Sequence, residues 1–182
     1  MSSAALQSER EHLGNLLEAL QRCIYFLDAT ERRIPWPLEA AELEARKKDV
    51  DLFEALAAVN ERFAKLQDTL GAAMRHSALL AGESTESFLK VLAYFEKVGV
   101  LDSVDQWQAA RTARNLAAHD YELEYIEIAE HFNQLHDLTP GLYQQSERLL
   151  TFCREELHIT PTRGEFSDEF RQVVEREQGQ AG

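Results

Sequence analysis

The stretch LFEALAAVNERFAKLQDTLGAA, residues 52–73, decides the fold class. Its apolar positions Leu52, Leu56, Val59, Phe63, Leu66, Leu70 and Ala73 recur at alternating steps of four and three. That spacing gathers side chains along one face of an α-helix, and the helix is expected to run on to about residue 80. Upstream, Leu13, Leu17, Leu20, Ile24 and Leu27 repeat the pattern in a first helix, from near residue 3 to about residue 32. Between the two lies IPWPLE, residues 34–39, where Pro35 and Pro37 fix their own φ and push the preceding residues out of the α region. A stiff turn joining two long antiparallel helices follows. Their stripes read as core, the alternative being a coiled-coil hairpin that dimerises.

Beyond this hairpin the helical signals continue. LAGESTES, residues 80–87, is a break with Gly82 and the capping candidates Ser84 and Thr85, and FLKVLAYFEKVG then forms a short amphipathic helix that Gly99 ends. Asp102 is expected to cap a helix over 103–118, with Asp105 near its positive end. The chain resumes as helix through Tyr125, Ile128, Phe132 and Leu135. Pro140 either kinks that helix or starts another behind a Thr139 cap, and Leu142, Leu149, Cys153 and Leu157 complete the bundle. After Ile159 come Pro161 and Gly164, then Phe166, Phe170 and Val173 at helical spacing, a tail with a short docking helix or an element that binds a partner. The expectation is an all-α protein: an antiparallel helical bundle with a long N-terminal helical hairpin, one domain over 1–158 and a tail over 159–182.

Charge limits the partners. Among 182 residues, 32 acidic side chains outnumber 19 basic ones for a net −13, so any contact with nucleic acid must be local. The same acidity suits docking on a basic protein. Cys23 and Cys153 have no CxxC or metal-type spacing, and reduced thiols are expected rather than a disulfide. The N-terminal MSSAALQSEREHL lacks the apolar core of a signal peptide, and no apolar run approaches the ~20 residues that span a bilayer. A cytoplasmic protein without a membrane contact is the expectation.

GxGxxG, GxxxxGK[ST], GxSxG and HExxH are all missing, so the nucleotide-loop enzymes, serine hydrolases and zinc proteases lack their starting residues. Glu127 and His131 share a helix face, but one i,i+4 pair without converging ligands reads as a solvated surface near His136, and neither metal nor cofactor is expected. What remains is RNLAAHDY, residues 114–121, together with Arg111 one turn earlier. Asn115 and His119 are four apart and share a face; Arg114 and His119 are five apart, about 140° around an ideal helix. A helix end at His119 would let the imidazole swing toward the guanidinium. An arginine and a histidine without a triad carboxylate suit phosphoryl chemistry, the one stabilising charge on phosphate oxygens and the other moving a proton near neutral pH. The plainer alternative is that Arg114 pairs with one of the many carboxylates, His119 caps the helix and Tyr121 packs in the core.

Arg114, Asn115 and His119 spell Arg, four residues, then His, with Asn after the Arg, and this resembles the signature of the HEPN superfamily. Asp120 and Tyr121 extend it to the Arg-x4-His-x-Tyr form, which is similar to HepT-type toxins and to nucleotidyltransferase substrate-binding proteins. VGVLDSVDQWQAARTA, upstream, looks like the second group. The resemblance covers about residues 84–157. It implies a helical bundle that forms a homodimer, with two Arg/His sets facing one cleft, acting as a metal-independent ribonuclease on RNA and not on DNA. It further implies a minimal nucleotidyltransferase as cognate antitoxin. Arg114 would then stabilise the pentavalent phosphate, His119 act as acid or base, and Asn115 orient either. Tyr121 would be the residue that receives a nucleotide from the partner, and the resemblance equally allows a noncatalytic adaptor that presents a nucleotide or substrate to that partner.

Overall fold

The computed structural model describes residues 3–116 and 124–180. His119 and Tyr121 therefore lie outside the described residues, as does the side chain of Asn115. Among the described residues the regular structure is helical throughout, with no strand: α1 Ser3–Glu31, α2 Ala40–Ala45, α3 Val50–Leu80, α4 Phe88–Lys97, α5 Val104–Leu116, α6 Tyr125–Phe152 and α7 Ser167–Gln180.

The apolar stripes do what their spacing requires. Leu13, Leu17, Leu20, Ile24 and Leu27 of α1 are fully buried, as are Val59, Phe63, Leu66 and Leu70 of α3. Each such side chain contributes about 1.5–3 kcal/mol by leaving water. Pairs across the hairpin run in opposite senses, Glu9 with His76 and Thr30 with Arg62, so α1 and α3 are antiparallel. The expected antiparallel order does not extend to α6. His131 meets Asn60 at one end and Cys153 meets Ser77 at the other, so α6 runs in the same sense as α3. A parallel return needs a crossover, and α4 and α5 lie on it.

Three local expectations, and one of the two alternatives for Pro140, give way to specific contacts. Ser87, not Ser84 or Thr85, caps α4 by accepting the Lys90 N–H at 3.3 Å. Ser103 caps α5, its Oγ accepting the Gln106 N–H at 3.1 Å, while Asp102 pairs with Arg148 at 2.6 Å. Pro140 sits inside one continuous α6, and Thr139, instead of capping, donates to the Leu135 carbonyl at 2.8 Å. The missing N–H of Pro140 costs one backbone bond, which buried Leu135, Thr139 and Leu142 on either side outweigh. His131 is buried, not solvated: packing of α6 on α3 places its Nε2 2.8 Å from Asn60 Oδ1. Gly99 does end α4, at φ +80°.

The turn over 34–39 contains a cis Trp36–Pro37 bond and is tied to α6. Asn133 accepts the Leu38 N–H at 2.8 Å and donates to the Leu38 carbonyl at 2.9 Å, and the His136 ring stacks on Trp36 at 4.3 Å. After α6 the chain makes a π-helical turn, Cys153–Leu157, and His158 takes the left-handed conformation at φ +53°. It then straps across α1. Gly14 permits this approach, since a Cβ there would stand 2.9 Å from Thr162 Oγ1 and 3.2 Å from the Thr160 carbonyl. Glu18 accepts the N–H groups of Arg163, Gly164 and Glu165 at 3.0, 2.7 and 2.9 Å. Partial burial acts to raise its pKa, but these three donors and the Arg163 charge outweigh it, and the carboxyl sits below its ordinary value. α7 then buries Phe170, Val173 and Val174, and Arg176 grips Asp28 through two bonds of 2.9 Å.

Both thiols are free. Cys153 is buried against Ser77, and burial pushes its pKa to about 11. No helix among the described residues is long and apolar enough to cross a membrane.

Candidate functional site

α5 packs through Trp107, Ala110 and Ala113, which are buried, and small residues at two of these three positions bring the helix close to the core. Arg111 and Arg114 flank that face and stay outside it. Opposite, α3 presents Asp68, Arg75 and His76, and Phe88 closes one end from the first turn of α4. Gly71 sets the spacing between the helices. A Cβ on it would lie 3.3 Å from Phe88 Cζ and 3.5 Å from Trp107 Cζ2, so the bare glycine lets both rings rest on α3. The Gln67 amide donates to the Trp107 carbonyl at 3.3 Å and fixes the register of α5. The result is a cleft of about 400 Å³ with an aromatic floor and three arginines around it.

Arg114 points into this cleft and pairs with Asp68. The plain alternative raised for this residue, a carboxylate partner, is thus part of its setting. The pair is open to water, with 65% of the Asp68 side chain exposed against 27% for Arg114. Arg75 lies over the Phe88 ring, 5.6 Å from its centroid, and neither Arg75 nor Arg111 makes an ion pair among the described residues. In a chain with 32 carboxylates, two guanidiniums with no ion pair among the described residues, beside a third, are an arrangement ready for an anion. His76 lines the same cleft, its Nδ1 2.9 Å from Glu9 Oε2 and its ring edge-on to His12 at 4.4 Å. Two buried polar atoms on the floor, Gln67 Oε1 and Trp107 Nε1, have no hydrogen-bond partner among the described residues.

The structure brings Arg111 and Arg114 to one cleft. Asn115, His119 and Tyr121 of the same motif cannot be added to this geometry, since the first lacks a described side chain and the others fall outside the described residues. Asp68, Arg75, His76 and Phe88 join from distant sequence. Their only mark in the sequence is that Asp68 and Arg75 fall off the apolar stripe of α3 at a spacing of seven, on its wet side. Among the described residues, no group of three or more His, Cys, Asp or Glu side chains converges in a way that holds a metal ion. Glu127 and His131 have parted company accordingly: the first closes the α6 capping box by accepting the Glu124 N–H at 2.9 Å, and the second is buried.

A chain carrying this cleft matches no known protein family, no characterised protein and no solved structure.

Proposed function

We propose that the chain is a HEPN-type, metal-independent ribonuclease whose phosphate site is the cleft between α3 and α5. The observation that carries this reading is the cluster of Arg75, Arg111 and Arg114 around one opening in an otherwise strongly acidic chain. A guanidinium matches phosphate oxygens in pairs and keeps its charge at every physiological pH. In the proposed reaction the 2′-hydroxyl of RNA attacks the adjacent phosphorus, the bond to the 5′-oxygen breaks, and a cyclic phosphate and a 5′-hydroxyl result. The nucleophile is internal to the substrate, so the protein supplies charge stabilisation, positioning and proton transfer. Arg114 takes the first role with Arg111 beside it, His119 moves the proton, and Asn115 orients one of them. A homodimer would set two such motifs across a shared groove, and a cognate nucleotidyltransferase would silence the enzyme by adding a nucleotide at Tyr121 in the cytoplasm.

A second reading draws on the Arg114–Asp68 pair. A guanidinium already engaged by a carboxylate suits a noncatalytic adaptor that holds a nucleotide or substrate for a nucleotidyltransferase. The two separate in one experiment. RNA decay is followed in cells expressing the protein, Arg114→Ala or His119→Ala; the ribonuclease predicts losses of about 10²- to 10³-fold for the arginine and about 10²- to 10⁴-fold for the histidine. Equal decay in all three rejects catalysis.

A further inference from the structure

Along α3, Glu61, Lys65, Asp68, Ala72 and Arg75 follow at steps of four, three, four and three, one stripe on the solvent side of the helix. The cleft opens onto its far end. Onto its near end opens a second groove of about 480 Å³ between α1 and α3, lined by Arg22, Phe26, Arg62 and Lys65. Taken together the two depressions carry six cations, Arg22, Arg62, Lys65, Arg75, Arg111 and Arg114, against the carboxylates Glu61 and Asp68. The chain as a whole has the opposite balance, 19 to 32. Arg22 and Lys65, like Arg75 and Arg111, make no ion pair among the described residues.

The two ends also share a design. At the near end Phe26 keeps 38% of its surface exposed, with the guanidiniums of Arg22 and Arg62 at 5.9 and 5.6 Å from its ring centroid. At the far end Arg75 stands 5.6 Å from the partly exposed ring of Phe88. Phe26 also meets the rings of Tyr25 and Phe166, at 5.1 and 6.3 Å, and still keeps that exposure; an accessible ring flanked by cations is a combination that holds an unpaired base and its phosphate. Arg62 and Arg75 are thirteen residues apart, about 20 Å along the helix axis, a distance that a stacked single strand covers in about six nucleotides.

We propose that single-stranded RNA lies along the solvent stripe of α3, its phosphates on the six cations and an unpaired base against Phe26 at one end and Phe88 at the other. The inference deepens the ribonuclease reading by assigning the strand's path away from the reacting phosphate. Duplex RNA hides its base faces and cannot use the rings. An acidic peptide would use the cations and leave the rings idle.

The probe is a fluorescent 2′-O-methyl oligouridylate longer than the track, which lacks the internal nucleophile and so reports binding without cleavage. Anisotropy is measured across a salt series for the whole protein, for Arg22→Ala/Lys65→Ala and for Phe26→Ala, with circular dichroism checking that each variant is folded. Removal of two phosphate contacts flattens the log–log salt slope by about 1.4. Loss of the stacking ring weakens binding about 5- to 150-fold. Unchanged slope and affinity in both folded variants overturn the track, as does equal affinity for a duplex or equally effective competition by polyglutamate. The outcomes stay separable from the catalytic reading: binding with these variant effects but no RNA decay in cells keeps the track and removes the ribonuclease, and decay without binding by the near groove does the reverse.

Discussion

Replacing Asp68 by Asn should tighten RNA binding. In the structure Asp68 holds the Arg114 guanidinium, which must let go before it can reach a phosphate. With 65% of the Asp68 side chain exposed, water screens the pair, and such surface pairs contribute about 0.2–1 kcal/mol. Asn keeps the shape and a carbonyl acceptor but removes the charge, so that energy becomes available to the ligand. The expected gain is about 1.4- to 5-fold in affinity. It should shrink as salt rises, because the competing carboxylate is screened by the same ions. The fold should hardly notice: the same energy corresponds to a fall in Tm of less than about 4 °C for a chain of this size. Anisotropy with the non-cleavable oligonucleotide measures the first quantity and thermal unfolding the second. A cycle closes the reasoning, since in an Arg114→Ala background Asp68→Asn should change affinity far less. Weaker binding by Asp68→Asn, or an undiminished gain without Arg114, would refute the idea that this carboxylate competes for the phosphate-binding cation.

Further expectations concern stability and reactivity. Tyr143→Phe should raise Tm by about 2–4 °C, since the Tyr143 hydroxyl is buried with no hydrogen-bond partner among the described residues and its removal relieves about 1 kcal/mol of desolvation; a lower Tm would reveal a partner for it. His136 has its pKa raised above 6.5 by its hydrogen bond to Glu31, against an opposing pull from burial. The folded state therefore binds this proton more tightly than the unfolded one, and the stabilisation is complete below pH 6.5 and fades as pH climbs through the raised value. Because 37% of the His136 side chain is exposed, the effect stays near 1 kcal/mol or less, and denaturant titrations of His136→Gln should lose that part of the pH dependence. Glu31, raised from its ordinary value by burial despite His136, acts in the same direction at lower pH. Cys23, only half-buried, should react with a thiol reagent in the native protein well before Cys153, whose pKa is about 11; mass spectrometry of the labelled peptides decides, and faster labelling of Cys153 would contradict its burial.

How much of this was legible beforehand depended on whether a feature is local. The stripes of α1 and α3 state their own burial, because a period of 3.6 is a property of a single helix. Arg111 and Arg114 could be paired for the same reason, standing one turn apart. Asp68 and Arg75 could not be paired with them. Their meeting depends on the register of α5 against α3, which Gly71, Gln67 and Trp107 set through contacts 36 to 40 residues apart in sequence. The caps show the same divide: Asp102 is as good an N-cap residue as Ser103, and Arg148 on α6 draws it away. Pro140 stops a helix in isolation, yet its neighbours are buried, and tertiary packing carries α6 through it. The sense of α6 relative to α3 follows from the crossover, whose length alone does not announce a direction.

Glu18 holds the strap chiefly by its amides, with the Arg163 charge adding to the grip. A substitution at Glu165 should consequently be nearly silent for the docking of α7 and one at Arg163 should cost only its charge, while a change at Glu18 itself, more than 140 residues upstream, would loosen all three anchor points together. The middle of the strap thus answers to one carboxylate on α1, and the side chains at 163 and 165 could vary as long as that acid and the left-handed Gly164 are kept.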